Sequence, residues 1–260
     1  MSSGMNQIVH GHIATTSESL QLCGVLPKLG TIKPHSEIEL RFFITAALAR
    51  KITQDTQHAT IEQHYFKRST FKHLVDDLRL ADVVEDVQLL TTARIRKTVG
   101  SSTYYQLELK GPKVRLPGRA VQRPEVSLRI SHATFDYLLD LADGGTIIKH
   151  RHDIPGHIYF NRSVLSVVAQ VDRYLMAGRP PRNLPLRFDT IDIEVPSQRY
   201  VPPLRQGKHS FGFLKKCLEI ADLDQPLQDA LSNRCLARDG FTKHLRKTLQ
   251  ALERRADKLG

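Results

Sequence analysis

The chain has 260 residues, of which 38 are Lys or Arg and 27 are Asp or Glu, a formal charge of +11. With 40% hydrophobic and 25% charged residues it can fill a core, which excludes a disordered chain. No run reaches the eighteen apolar residues of a membrane-spanning helix. The excess of base favours a polyanionic partner such as nucleic acid, polyphosphate or a nucleotide, although a basic surface kept for solubility carries the same signature.

The N-terminal stretch "MSSGMNQIVHGH" lacks the basic start and apolar run of a secretory signal. Cys23, Cys217 and Cys235 are few and widely spaced, reading as free thiols of a cytoplasmic protein and not as a disulfide frame. Residues 1–34 have no clear period and end in the turn-rich "KLGTIKPH". Residues 37–44 predict a strand, "AALARKIT" a short helix, and "HATIEQHYF" a second strand. "TFKHLVDDLRLADVV" carries Phe71, Leu74, Val75 and Leu78 at helical spacing. "TARIRKTV" and "YYQLELKG" flank Gly100, Ser101 and Ser102 as a hairpin. "EVSLRIS" follows a Pro/Gly/Arg-rich loop at 111–124. "HATFDYLLDLA" reads as a helix, "TIIKHRHDI" as a strand ending in a turn at Gly156, and the latter half of "HIYFNRSVLSVVAQVDRYL" as another strand. "LPLRFDTIDIEVP" is the last strand of the series. Beyond Pro202-Pro203, "HSFGFLKKCLEIADL" and "DALSNRCLARDGFTKHLRKTLQALERRADKL" predict helices. The fold class is therefore α+β and mainly β, an antiparallel β domain with a helical C-terminal tail.

Five strands carry ionisable pairs at alternate positions: Glu37/Glu39 (followed by Arg41), Arg94/Arg96, Glu108/Lys110, Lys149/Arg151 and Asp192/Glu194. Alternation puts each pair on one face, with Ile38, Leu40, Ile95, Leu109 and Ile193 on the other. A half-exposed sheet alternates in the same way. Here, however, the pairs segregate by sign, with acids on the first and last strands and mostly bases between. A closed barrel wide enough for a ligand has use for such a face turned inward. Acids on facing walls suit a divalent cation with oxygen ligands, Mg²⁺ or Mn²⁺. Arginines and lysines suit phosphate oxygens.

"EIELR" resembles the ExExK signature of the CYTH superfamily, the triphosphate tunnel metalloenzymes. The resemblance continues in order. "IEQHYF" is similar to the family's IEQxYF/L strand, "RIR" to its RxR and "YYQLELKGP" to its YYLTLKGP. "RPEVSLRI" is similar to RxExExxI, "IIKHR" to IxKxR, "VAQVDRY" to VDxF and "IDIEVPS" to the closing EIEL. No single piece is specific, but the ordered set over residues 37–197 is. It implies a closed tunnel of eight antiparallel strands, with a lead-in at 1–34, the tunnel domain at 35–200 and a helical C-terminal extension at 201–260.

The resemblance also implies roles. Glu37, Glu39 and Arg41 fall on the catalytic motif. Glu37, Glu39, Glu125, Asp172, Asp192 and Glu194 would be the metal set, with Asp172 serving either the metal or the orientation of a base. Arg94, Arg96, Lys110, Arg123, Lys149 and Arg151 would hold the triphosphate. Five positions depart from the pattern. Arg41 replaces a Lys and is not a plausible proton acceptor. Ser127 and Arg129 replace the later acids of their strand, Asp192 shortens a Glu, and Glu108 adds an acid. The implied activity is a metal-dependent triphosphatase acting on inorganic triphosphate or a nucleoside or other organic triphosphate. Alternatives are a class IV adenylyl cyclase, an RNA 5′-triphosphatase acting on an RNA 5′ end, and a non-catalytic triphosphate-binding module. The sequence does not fix the oligomeric state.

Overall fold

The computed structural model describes residues 32–115, 121–160, 163–183, 189–196, 208–240 and 242–259. The expected lead-in up to residue 31, with Cys23, lies outside the described residues. Eight strands form the body: β1 (His35–Ile44), β2 (His58–Tyr65), β3 (Thr92–Val99), β4 (Thr103–Lys110), β5 (Val121–Ile130), β6 (Gly145–Phe160), β7 (Ser163–Gly178) and β8 (Asp189–Pro196). They are ordered β6-β2-β3-β4-β5-β1-β8-β7, and β7 pairs back onto β6, so the sheet closes on itself. Every pairing around the ring is antiparallel. This is the closed eight-stranded tunnel that the resemblance implied.

The apolar residues lie outside the ring. On β1, Ile38, Leu40, Phe42 and Ile44 join Ile191, Ile193 and Val195 of β8 under helix α1 (Ala46–Thr53), together with Phe211, Leu214 and Cys217. On the far side, helices α2 (Arg68–Asp77) and α3 (His132–Leu141) cover Ile95, Leu107, Leu109, Val126 and Leu128 through Phe71, Leu74, Phe135 and Leu138. Because strand side chains alternate, burying these residues outward forces their neighbours inward. The charged pairs therefore share the interior because the hydrophobic effect claims the outer face. The N-caps Thr45 and Ser131, which accept from Leu48 N and Thr134 N, start α1 and α3 where the outer apolar stripe requires them.

One end of the tunnel is closed. Phe43, Tyr65, Ile147 and Tyr174 point inward there and pack with Leu218, Ile220, Leu231, Leu236, Leu245 and Leu249. The covering helices are α4 (Gln225–Ala230), α5 (Asn233–Asp239) and α6 (Lys243–Asp257). Gly145 permits this docking, since at its φ of +97° a Cβ would fall 1.9 Å from the Ala237 carbonyl oxygen.

Three expectations are corrected. "HSFGFLKKCLEIADL" is not a helix. It forms short 3₁₀ turns at Gly212–Lys216 and Ile220–Asp222 around a two-residue strand, Leu218–Glu219, that pairs with β1. Its apolar spacing serves two different clusters, one outside the barrel and one at its closed end. Gly156 is not a turn either, because β6 runs through it to Phe160. The missing side chain instead admits the Phe211 ring, which a Cβ would approach to 2.4 Å. Finally, β5 begins at Val121, inside the stretch read as loop, and takes Pro124 into the ladder beside Ser36. No helix among the described residues is long and apolar enough to cross a membrane.

Candidate active site inside the barrel

Each interior wall is set by its strand. On β3, Arg94 and Arg96 both reach Glu108 of β4. Arg94 contacts it through Nε, and Arg96 Nη1 lies 2.7 Å from Oε1. Glu108 is 1% exposed. Burial alone would raise its pKa, but Arg94 and Arg96 outweigh this and hold it well below the ordinary carboxylate range. Arg94 also donates to the Tyr65 hydroxyl at 3.0 Å. With its amide oxygen turned toward Arg96, Gln63 accepts from Nε and Nη2 at 3.0 Å.

Lys149 and Arg151 of β6 converge on Asp172 of β7. Arg151 binds it bidentately, Nε and Nη2 each 2.7 Å from a carboxylate oxygen, and Lys149 closes the remaining side. Asp172 is fully buried. Burial opposes its ionisation, yet Arg151 and Lys149 keep it charged, with a pKa well below normal. Lys110 pairs in the same way with Glu125 of β5.

The β1–β8 wall is more open. Alternation places Glu39, Arg41, Asp192 and Glu194 inward, with Glu39 beside Glu194 and Arg41 beside Asp192 in register. Among the described residues, the ion pair of Glu39 is a loose one, with Arg123 Nη2 at 3.9 Å. Burial would raise its pKa, but Arg123, Arg41, Lys113 and Lys110 lower it to about 2. Arg41 Nε lies 3.1 Å from Asp192 Oδ1, but this is not a formed hydrogen bond, and both atoms are buried without a hydrogen-bond partner among the described residues. Burial, with Glu39 nearby, raises the Asp192 pKa against the pull of Arg41. Glu37 sits on the same strand in register with Arg123 and Pro196, but its side chain lies outside the described residues.

These positions separate the residues expected to bind metal. Glu125 and Asp172 are committed to lysine and arginine partners. Glu39, Asp192 and Glu194 lie side by side on the β1–β8 wall, and there burial and the neighbouring Glu39 oppose the ionisation of Asp192 against the pull of Arg41. Their hard oxygen donors, and the Asp192 oxygen that faces Arg41 without a formed hydrogen bond, fit an ion of the Mg²⁺ or Mn²⁺ class. Among the described residues, no three carboxylate, imidazole or thiol side chains already converge on one ion position.

Sequence reasoning missed four neutral side chains that order the charged ones: Gln63, Tyr65, Tyr174 and Asn233. Arg41 Nη2 donates to the Tyr174 hydroxyl at 2.5 Å and to Asn233 Oδ1 at 2.8 Å, and Tyr174 donates to the same Asn233 oxygen. Asn233 belongs to α5, so the C-terminal segment contributes an atom to the tunnel's inner end. "IEQHYF" and "VDRY" could have drawn attention to Gln63, Tyr65 and Tyr174 as inward positions. For Asn233 the sequence held no signal, since it lies 192 residues from Arg41.

No family model matches the sequence, and no curated protein does. Among solved structures, the chain is similar to the inorganic triphosphatase NE1496, with 15% identity, a TM-score of 0.34 and coverage of 77% of this chain and 96% of that one. It is similar to the PH1819 protein of Pyrococcus horikoshii OT3, with 15% identity, a TM-score of 0.36 and coverage of 86% and 90%. It is also similar to HpAC1 from Hippeastrum, named as an adenylyl cyclase and described with a dominant triphosphatase activity. There the identity is 10%, the TM-score 0.34 and the coverage 62% and 79%.

Proposed function

We propose that the chain is a metal-dependent triphosphatase that removes the terminal phosphate of a triphosphate held inside the barrel. The observation that carries this reading is the density of paired charge inside the barrel. Arg94, Arg96, Lys110, Lys149 and Arg151 are held there by Glu108, Glu125 and Asp172, and the β1–β8 wall adds Glu39, Asp192 and Glu194 around Arg41. A linear polyanion accompanied by a divalent cation is complementary to both signs of charge at once. Glu39, Asp192 and Glu194, with Glu37 on the same strand, would hold the cation. When bound, it would polarise phosphoryl oxygens and screen their charge.

The chain's own residues do the rest. Arg94 and Arg96 present a fork suited to non-bridging oxygens, and Lys149 and Arg151 do the same from the next wall. Gln63, Tyr65 and Asp172 fix these side chains in place, so little reorganisation is needed as charge develops. Water adds at the terminal phosphorus as its bond to the bridging oxygen breaks, giving orthophosphate and the remaining diphosphate, which is pyrophosphate when the substrate is inorganic triphosphate. Arg41 keeps its proton, its pKa raised by Asp192 despite burial, and so acts as a positioning cation.

A second reading is favoured by that same residue. Arg41 is tied to Asp192, Tyr174 and Asn233, as would suit a barrel that binds triphosphate without turning it over. The test is release of orthophosphate from inorganic triphosphate, ATP, GTP and a 5′-triphosphorylated RNA, with Mg²⁺ or Mn²⁺ and with EDTA, beside Glu39→Gln. Metal-dependent orthophosphate release that is lost in the variant supports the triphosphatase. Pyrophosphate together with cyclic AMP from ATP would make it a cyclase. Triphosphate binding without any turnover would leave the binding module.

A further inference from the structure

The open end of the barrel differs from its interior. A cavity of about 450 Å³ lies there, lined in part by His58, Thr98, Tyr104, Arg151 and Asp153. This is within the range of small-molecule sites. Arg151 connects it to the phosphate grip, since the same guanidinium holds Asp172 inside the barrel. Thr98 follows Arg96 by two residues on β3, so it faces the same way about 7 Å further out. Tyr104 pairs with Thr98 across the β3–β4 ladder.

Two features of this mouth go beyond what a bare chain of phosphates requires. The Tyr104 ring, part of the cavity wall, carries the Arg129 guanidinium carbon 4.4 Å from its centroid, a cation–aromatic contact. Asp153, an acceptor-only carboxylate, stands in the same wall and would repel phosphate oxygens. A third feature asks for a hydrogen-bonding ligand. The Thr98 hydroxyl is buried, at 5% residue exposure, with no partner among the described residues. A buried unsatisfied hydroxyl is costly, and a ligand group that pairs with it recovers that cost.

We propose that this mouth is a nucleobase subsite and that the substrate is a nucleoside 5′-triphosphate, either free or at an RNA 5′ end. The base stacks against the Tyr104–Arg129 pair, with the Thr98 hydroxyl and the Asp153 carboxylate available to its polar edge. The ribose bridges the step from Thr98 to Arg96, and the phosphates run inward along Arg96, Arg94 and Lys110. This inference rests on the triphosphate reading above and adds the part of the substrate that reading leaves open. It also gives Arg129 a role. Arg129 stands where the resembling family has an acid, and its position over Tyr104 suits a base platform better than a metal site.

Calorimetric binding tests this independently of turnover. Dissociation constants would be measured with Mg²⁺ for inorganic triphosphate, ATP, GTP and a short 5′-triphosphorylated RNA, on the full chain and on Tyr104→Ala, Tyr104→Phe and Thr98→Val. The readout is each ligand's affinity relative to inorganic triphosphate. Aromatic–base stacking predicts that Tyr104→Ala lowers this ratio about tenfold for the nucleotides. Tyr104→Phe should restore it, and Thr98→Val should move it in the same direction as the alanine variant. The RNA and free-nucleotide arms then identify the source of the base. If inorganic triphosphate binds as tightly as the nucleotides and Tyr104→Ala leaves the ratio unchanged, the nucleobase subsite is overturned and the triphosphate grip stands. If no triphosphate binds at all, both fall.

Discussion

Glu108 is the resident counter-ion of Arg94 and Arg96, and replacing it by Gln separates two things the carboxylate does. It neutralises two buried guanidiniums, and it competes with any anionic ligand for them. Glu108 is 1% exposed and touches both arginines. Removing one partner of a buried ion pair costs about 3–5 kcal/mol. Gln keeps the volume and one acceptor oxygen, so the lower end applies, about 3 kcal/mol. At about 2–4 °C per kcal/mol for a chain of this size, the melting point of Glu108→Gln should fall by about 6–12 °C. With inorganic triphosphate and Mg²⁺ present, the deficit should narrow. The ligand no longer has to displace a charge-assisted hydrogen bond worth about 1.5–3 kcal/mol, and its affinity should rise about tenfold or more. At saturation a tenfold gain adds about 1.4 kcal/mol of ligand-induced stabilisation, or about 3–6 °C beyond the wild-type shift. Differential scanning calorimetry with and without triphosphate reads both numbers. A variant as stable as wild type, or one that gains no more from triphosphate than wild type does, refutes the assignment of Glu108 as a displaceable counter-ion.

Asn233→Ala removes the oxygen that accepts from Arg41 and Tyr174. Leaving buried donors unpaired should cost about 1–3 kcal/mol, read by urea unfolding, whereas Asn233→Asp should keep an acceptor and recover most of it. Gly145→Ala places a methyl group 1.9 Å from the Ala237 carbonyl at a positive φ. It should undock α5, seen as fast hydrogen exchange in residues 233–239 while the amides of β3 and β4 stay protected. Acid should unfold the chain in a defined direction. The folded pKa of Glu108 lies below its unfolded value of about 4.3. Its contribution is therefore fully present above that pH and is lost as the pH falls through the folded value, because the unfolded state then binds the additional proton. The acid limb of the stability curve should flatten in Glu108→Gln, and an unchanged limb would contradict the linkage.

The barrel was legible because its information is local and periodic. Glu39/Arg41, Arg94/Arg96, Glu108/Lys110 and Asp192/Glu194 alternate with residues that the structure buries outside the ring, and period-2 alternation survives any choice of neighbouring strand. What could not be read was which charge meets which. Lys149 with Asp172, or Arg96 with Gln63, depends on register across strands distant in the chain. The segment at 210–223 was misread because Phe211, Leu214, Leu218 and Ile220 have helix-like spacing. In the fold, Phe211 and Leu214 pack outside the barrel while Leu218 and Ile220 line its closed end. Such a division requires the turn at Cys217, which no propensity announces.

The pairing inside the barrel constrains what can bind there. Arg94, Arg96, Lys110, Lys149 and Arg151 each already face a carboxylate, so an anion entering the barrel exchanges partners rather than filling empty sites. A monovalent anion gains one contact and strands one carboxylate, a net loss in a low-dielectric interior. A triphosphate replaces several carboxylates in one event, and a cation arriving with it compensates the acids inside the barrel, including Asp192, whose Oδ1 has no formed hydrogen bond among the described residues. Selectivity for a polyanion over a single phosphate thus follows from the exchange itself. Competition experiments should show inorganic triphosphate displaced far more effectively by a second triphosphate than by orthophosphate at equal total charge. Equal displacement would mean that the interior cations act independently and that the carboxylate pairs seen here are not what the ligand has to break.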